Sequence, residues 1–186
     1  MPMRKTLAVL LPLALPGAAL AHPGHVTGAP FAAGFAHPLG GSDHLLAMVA
    51  IGLWAASLGG RAVWALPLAF VSAMIAGGAL GAAHLALPLV EPMILASSIL
   101  LGAVVALALR PPVHLVLPVV AVFGVMHGYA HGAEGPGHGF AAYVAGFALA
   151  TGALHLAGIA LGRLALVRWL GAATAAAGLV VAAVQG

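Results

Sequence analysis

Two short stretches hold most of the residues in this chain that could do chemistry. One is His127-Gly-Tyr-Ala-His131-Gly-Ala-Glu134. Offsets of four and seven set its three polar side chains along one stripe of a helix, and two imidazoles at i and i+4 make the usual two-point helical metal chelate. Glu134 would close that helix at its C-terminus, where the dipole disfavours an anion. A carboxylate in that place implies a cation beside it; a solvated loop carboxylate is the plainer alternative. The other stretch is His37-Pro-Leu-Gly-Gly-Ser-Asp43-His44, with Met48 one helical turn on. Pro38, Gly40 and Gly41 put His37 on a flexible approach. Asp43 and His44 then open a helix, and His44 shares a face with Met48. Asp43 alone reads equally well as a first-turn carboxylate favoured by the dipole, with Ser42 as cap. Imidazole together with carboxylate suits Ni, Co, Zn or Cu(II).

The chain carries 10 histidines against 3 carboxylates and no cysteine. Disulfides, Cys nucleophiles and tight thiolate metal sites are therefore excluded. Of the remaining histidines, His22 and His25 would begin a processed chain, and His22 could chelate through its free amine and imidazole. His84 ends an apolar stretch and could complete a site. His138 suits an interface, His114 a helix end, and His155, deep in an apolar stretch, an inner relay.

The elements that must position these groups follow from composition. The 186 residues are 63% hydrophobic and 5% charged, with a mean hydropathy of +1.17, whereas soluble domains are about 25% charged. The chain reads as an all-α, polytopic membrane protein. Its pI of 10.2 comes from basic residues scattered singly, which is not a nucleic-acid footprint. Residues Met1–Ala21 read as a cleaved signal peptide: Arg4 and Lys5, an apolar core from Leu7 to Leu20, then Ala19-Leu20-Ala21. An uncleaved anchor is the alternative. Residues 22–186 would form one domain of six transmembrane helices, at about Ser42–Leu58, Val63–Ala83, Pro92–Leu109, Val113–His131, Phe140–Leu161 and Leu164–Val184. The 26 glycines suit close helix contact in lipid, and Trp54, Trp64 and Trp169 suit interfacial or packing positions.

Charge orients these spans. With His22 outside, Arg61, Arg110, Arg163 and Arg168 all fall at cytoplasmic helix ends, while Asp43, Glu91 and Glu134 fall at outer ends. That is the positive-inside pattern. His22, His25, His37, His44, His84, His127, His131 and His138 then lie on or near the outer side, and only His114 and His155 fall in the cytoplasmic half. An outer face rich in imidazole and carboxylate collects divalent cations.

At these residues the chain resembles the HupE/UreJ family of nickel permeases, which accompany hydrogenases and ureases. His37-Pro38, Gly41, Asp43-His44, Ala47-Met48, Gly52 and Trp54 match the family's first-helix signature, and His127-Gly128, Ala130-His131-Gly132 and Glu134 match its H-G-x-A-H-G-x-E signature. The resemblance covers the whole chain and departs at Met126, where an aromatic residue is expected. It implies a bacterial inner-membrane protein with a periplasmic mature N-terminus, not an enzyme, that takes up Ni(II) and sometimes cobalt. It further implies metal contact or translocation at His37, Asp43, His44, His127, His131 and Glu134; His22, His25 and His84 are lesser metal candidates from the residues alone. The partners expected are the metal ion, passing as cargo with no permanent cofactor, and lipid; nucleic acid is not expected. The rival classes are an intramembrane metalloenzyme using the His-x3-His pair with Glu134 as base, and a haem b carrier with two axial histidines.

Overall fold

Breakers and apolar runs translate closely into helices in the computed structural model, which describes residues 29–185. Among these residues there are seven helices and no strand: α1 (Pro30–Gly40), α2 (Ser42–Leu58), α3 (Ala62–Ala82), α4 (Val90–Ala106), α5 (Val113–Ala133), α6 (Phe140–Leu161) and α7 (Val167–Gln185). The signal peptide, His22 and His25 lie outside the described residues. Each of the six expected stretches is helical, and α2 and α6 have the expected bounds. Helix α4 stops at Ala106, short of Leu109, because Ala108 adopts a positive φ of 53° ahead of Pro111-Pro112.

Helices α3, α5, α6 and α7 are each long and apolar enough to cross a membrane, and α1 with α2 makes a fifth candidate span bent by 84°. Helix α4 is apolar but has 17 residues. The chain is a multi-pass helical membrane protein, with four to five candidate spans among the described residues, where six were expected. Helix α1 corrects the flexible approach expected before Asp43. Pro38 lies inside the helix at the cost of one backbone bond, and the helix breaks only at Gly41 (φ −101°, ψ 121°). Ser42 is the first residue of α2 rather than its cap; Gly41 holds the cap position, with no side-chain cap bond.

Small residues set the helix contacts. Along α3 and α5, Gly77 faces Val125, Gly81 faces Tyr129, Gly128 faces Met74 and Gly132 faces Gly78, each so close that a Cβ would run into the opposite backbone. Gly52 and Gly158 do the same between α2 and α6, and Gly34 and Gly146 between α1 and α6. These approaches are the van der Waals contacts that hold helices together in lipid. Large apolar side chains point outward instead: Trp64, Leu68, Leu107 and Trp169 are all well exposed.

The bundle has two distinct ends. Trp54 Nε1 donates to the Leu109 carbonyl at 3.1 Å, and Arg168 Nε donates to the Ala106 carbonyl at 2.9 Å. The close of α2, the close of α4 and the start of α7 therefore meet at one end. The start of α2 and the close of α5 meet at the other.

Candidate metal centre

Four histidines converge at the second end because three helices deliver them there. The last turn of α1 supplies His37, the first turn of α2 supplies His44, and the last two turns of α5 supply His127 and His131. Glycines follow both α5 histidines, so α5 lies hard against α3 and turns its imidazoles toward α2. The rings form a continuous column. His37 meets His131 with centroids 4.6 Å apart, His131 meets His44 at 4.5 Å, and His44 meets His127 at 5.0 Å. Phe147 of α6 walls the column at 4.1 Å from His131, and Tyr143 stands 5.8 Å from His37.

Exposure falls along this column. The Glu134 side chain is 62% exposed, His37 34% and His44 14%; His131 and His127 are buried. Glu134 occupies the C-cap of α5, and one carboxylate oxygen lies 3.6 Å from His37 Nε2. The His37 ring beside it holds the Glu134 carboxyl below the usual carboxylate range. Each of His37, His131 and Glu134 offers a ligand atom, all within 4.8 Å of one another.

Hydrogen bonds fix which nitrogen each ring presents. His127 Nδ1 donates to the Phe123 carbonyl at 2.8 Å. A carbonyl only accepts, so Nδ1 carries the proton and Nε2 keeps its lone pair. That Nε2 is buried with no protein partner. His44 repeats the arrangement: Nδ1 lies 3.0 Å from Asp43 Oδ1, and Nε2 is buried and unpartnered. A carboxylate or carbonyl behind a ring, with the far nitrogen free, is how metal-ligating histidines are normally oriented. Both ring nitrogens of His131 are likewise without a partner. Buried polar atoms are nearly always satisfied, and this many free imidazole nitrogens in one place could hold a cation.

All six residues of the two sequence motifs thus come together, with Asp43 standing behind His44. Its Oδ1 also accepts the His44 backbone N–H at 2.9 Å. His84 is elsewhere: exposed, at a positive φ of 52°, on a loop cavity with Gly135 and Pro136. His138 and His114 are exposed as well. His155 is buried beyond Phe70, which touches His127 at 5.4 Å and His155 at 5.3 Å. The edge-to-face contact of His44 and His127 leaves no slot for a macrocycle between them, which disfavours the bis-histidine haem arrangement. Sequence reasoning missed the walls of the site. Tyr143, Phe147 and Phe70 look like ordinary apolar helix residues, and only the buried, unpartnered Tyr143 hydroxyl marks one of them as unusual.

Comparison with known proteins adds a separate line. A profile of the family described as HupE / UreJ protein matches residues 9–185. The curated Protein HupE of Rhizobium leguminosarum bv. viciae is 46% identical over 162 residues, covering 86% of this chain and 84% of that one. No solved structure matches the chain.

Proposed function

Because this chain belongs to the HupE/UreJ family, a family of membrane accessory proteins rather than enzymes, we propose that it is a nickel permease. Its cargo is Ni(II), with Co(II) as a second substrate, carried from periplasm to cytoplasm across a bacterial inner membrane to supply a hydrogenase or urease. The observation that carries this reading is the column of His37, His131, His44 and His127, in which both ring nitrogens of His131 and the Nε2 atoms of His44 and His127 are buried with no protein partner.

The cation is attracted at the mouth by the Glu134 carboxylate and met by His37. It exchanges water for imidazole as it reaches His131 and His44, then passes to His127. His155 lies beyond Phe70 as the next imidazole on the way in. Asp43 acts through His44, holding the ring proton on Nδ1 so that Nε2 faces the path. Neutral imidazoles with few carboxylates bind a divalent ion weakly enough to release it, which conduction requires. No P-loop is present in the sequence, and the drive would come from the metal gradient, the membrane potential or proton exchange. An inside-negative potential of 100 mV is worth about 4.6 kcal/mol for a divalent ion.

The deciding experiment is nickel flux into proteoliposomes, with Zn(II) and Cu(II) alongside and His127→Ala as control. Saturable nickel uptake that disappears in the variant is expected. No flux, with a metal ion retained through purification, would replace the permease by an intramembrane metalloenzyme.

A further inference from the structure

Hydroxyls inside apolar helices ordinarily fold back onto a carbonyl three or four residues earlier. Ser57, Ser97, Ser98 and Thr174 all do so here. Thr151 does not. Its Oγ1 lies 3.4 Å from Met48 Sδ and 3.7 Å from Met74 Sδ, so one hydroxyl sits between thioethers from α2 and α3. All three residues are buried. One turn along α6 from Thr151, His155 holds both ring nitrogens buried and without a partner. It packs on Phe70, which lies one turn along α3 from Met74. Met48 is itself one turn along α2 from His44, so the sulfurs follow directly on the imidazole column.

Thioethers usually fill gaps in cores. What sets this pair apart is that a hydroxyl without a backbone bond lies against both sulfurs, donating its one proton to either, with an unpartnered imidazole a turn away. We propose that Met48, Met74, Thr151 and His155 form a second, inner metal station that favours borderline cations such as Ni(II) and Co(II) over hard ones such as Mn(II). Soft sulfur donors select against hard ions that carboxylate and water would accept. The mouth, built from Glu134 and imidazoles, admits divalent ions broadly. The inner sulfurs then sort them, because a hard ion gains little by exchanging its remaining water for thioether. This station rests on the permease reading and adds selectivity to it.

The chain has no cysteine, so any sulfur shell around bound nickel must be thioether. The full-length protein, loaded with two equivalents of Ni(II), is measured by X-ray absorption at the nickel edge, beside proteoliposome flux with Mn(II) as competitor. A sulfur shell is expected in the wild type and in Met93→Leu, and its loss in the Met48→Leu/Met74→Leu double variant, which nearly conserves volume. The double variant should keep its nitrogen shell, carry nickel about tenfold more slowly and lose its preference over manganese. Only nitrogen and oxygen around nickel in the wild type overturns the inner station, whatever the flux. An undiminished sulfur shell in the double variant overturns it too. A sulfur shell that depends on Met48 and Met74, in a protein that moves no nickel, supports the station and counts instead against the permease.

Discussion

Asp43 illustrates how much a single hydrogen bond decides at this site. Its carboxylate holds the His44 ring proton on Nδ1, and partners of this kind change metal affinity 10- to 100-fold when removed. Asp43→Asn should accordingly weaken nickel binding by one to two orders of magnitude in calorimetry while leaving the helix content unchanged; an unaltered affinity would leave Asp43 with no part in orienting His44. The free imidazole nitrogens carry a second expectation. Imidazole must be deprotonated to bind metal, so nickel affinity should rise with pH through the range about 5 to 7 and then level off. Glu134, held below the usual carboxylate range by His37, stays anionic across that window, so the loss on acidification belongs to the imidazoles. Equal affinities at pH 5 and 7.5 would confine ligation to rings that burial keeps neutral at both values. The two motifs were legible in the sequence because polar residues are so sparse that an i, i+4 histidine pair stands out. The direction of the Asp43 bond was not, because spacing does not say which way a carboxylate turns. Nor was the role of Thr151, which depends on Met74 from a helix far away in the chain.

At the scale of elements, the glycines after each α5 histidine are as much a part of the site as the histidines. A Cβ on Gly128 would run into the Met74 backbone carbonyl, and one on Gly132 into that of Gly78. Gly128→Ala should cost about 1–3 kcal/mol in overpacking and push α5 off α3, which moves His127 and His131 out of line with His44. Gly152→Ala is the matched control, since nothing lies within 4 Å of its added Cβ. Thermal unfolding and nickel binding measured on both should separate them, with only Gly128→Ala impaired; equal behaviour would mean the α3–α5 contact does not position the rings. Six of the seven helices were legible from apolar length and Gly/Pro punctuation. Helix α1 was not, because Pro38, Gly40 and Gly41 read locally as breakers. Its stability comes from packing on α6, where Gly34 meets Tyr143 and Gly146 meets Phe31, and such tertiary support leaves no trace in a local pattern.

For the whole molecule, the contrast between the two ends organises the account. Histidines and carboxylates gather where α2 begins and α5 closes. Arg61, Arg110 and Arg163 lie in the three loops of the opposite end. Alternation of short loops made that polarity readable from the sequence, whereas the depth of the path, through His127 and on past Phe70 to His155, needed the packed bundle. The central claim is that the motifs of α2 and α5 serve one cation on one path. A double-mutant cycle on nickel flux, with His44→Ala and His127→Ala singly and together, tests it most directly. Residues of one shared site lose function non-additively, so either single variant should slow nickel flux nearly as much as the pair. Losses that simply add would mean that the two motifs act independently, and the single path drawn through them would be wrong.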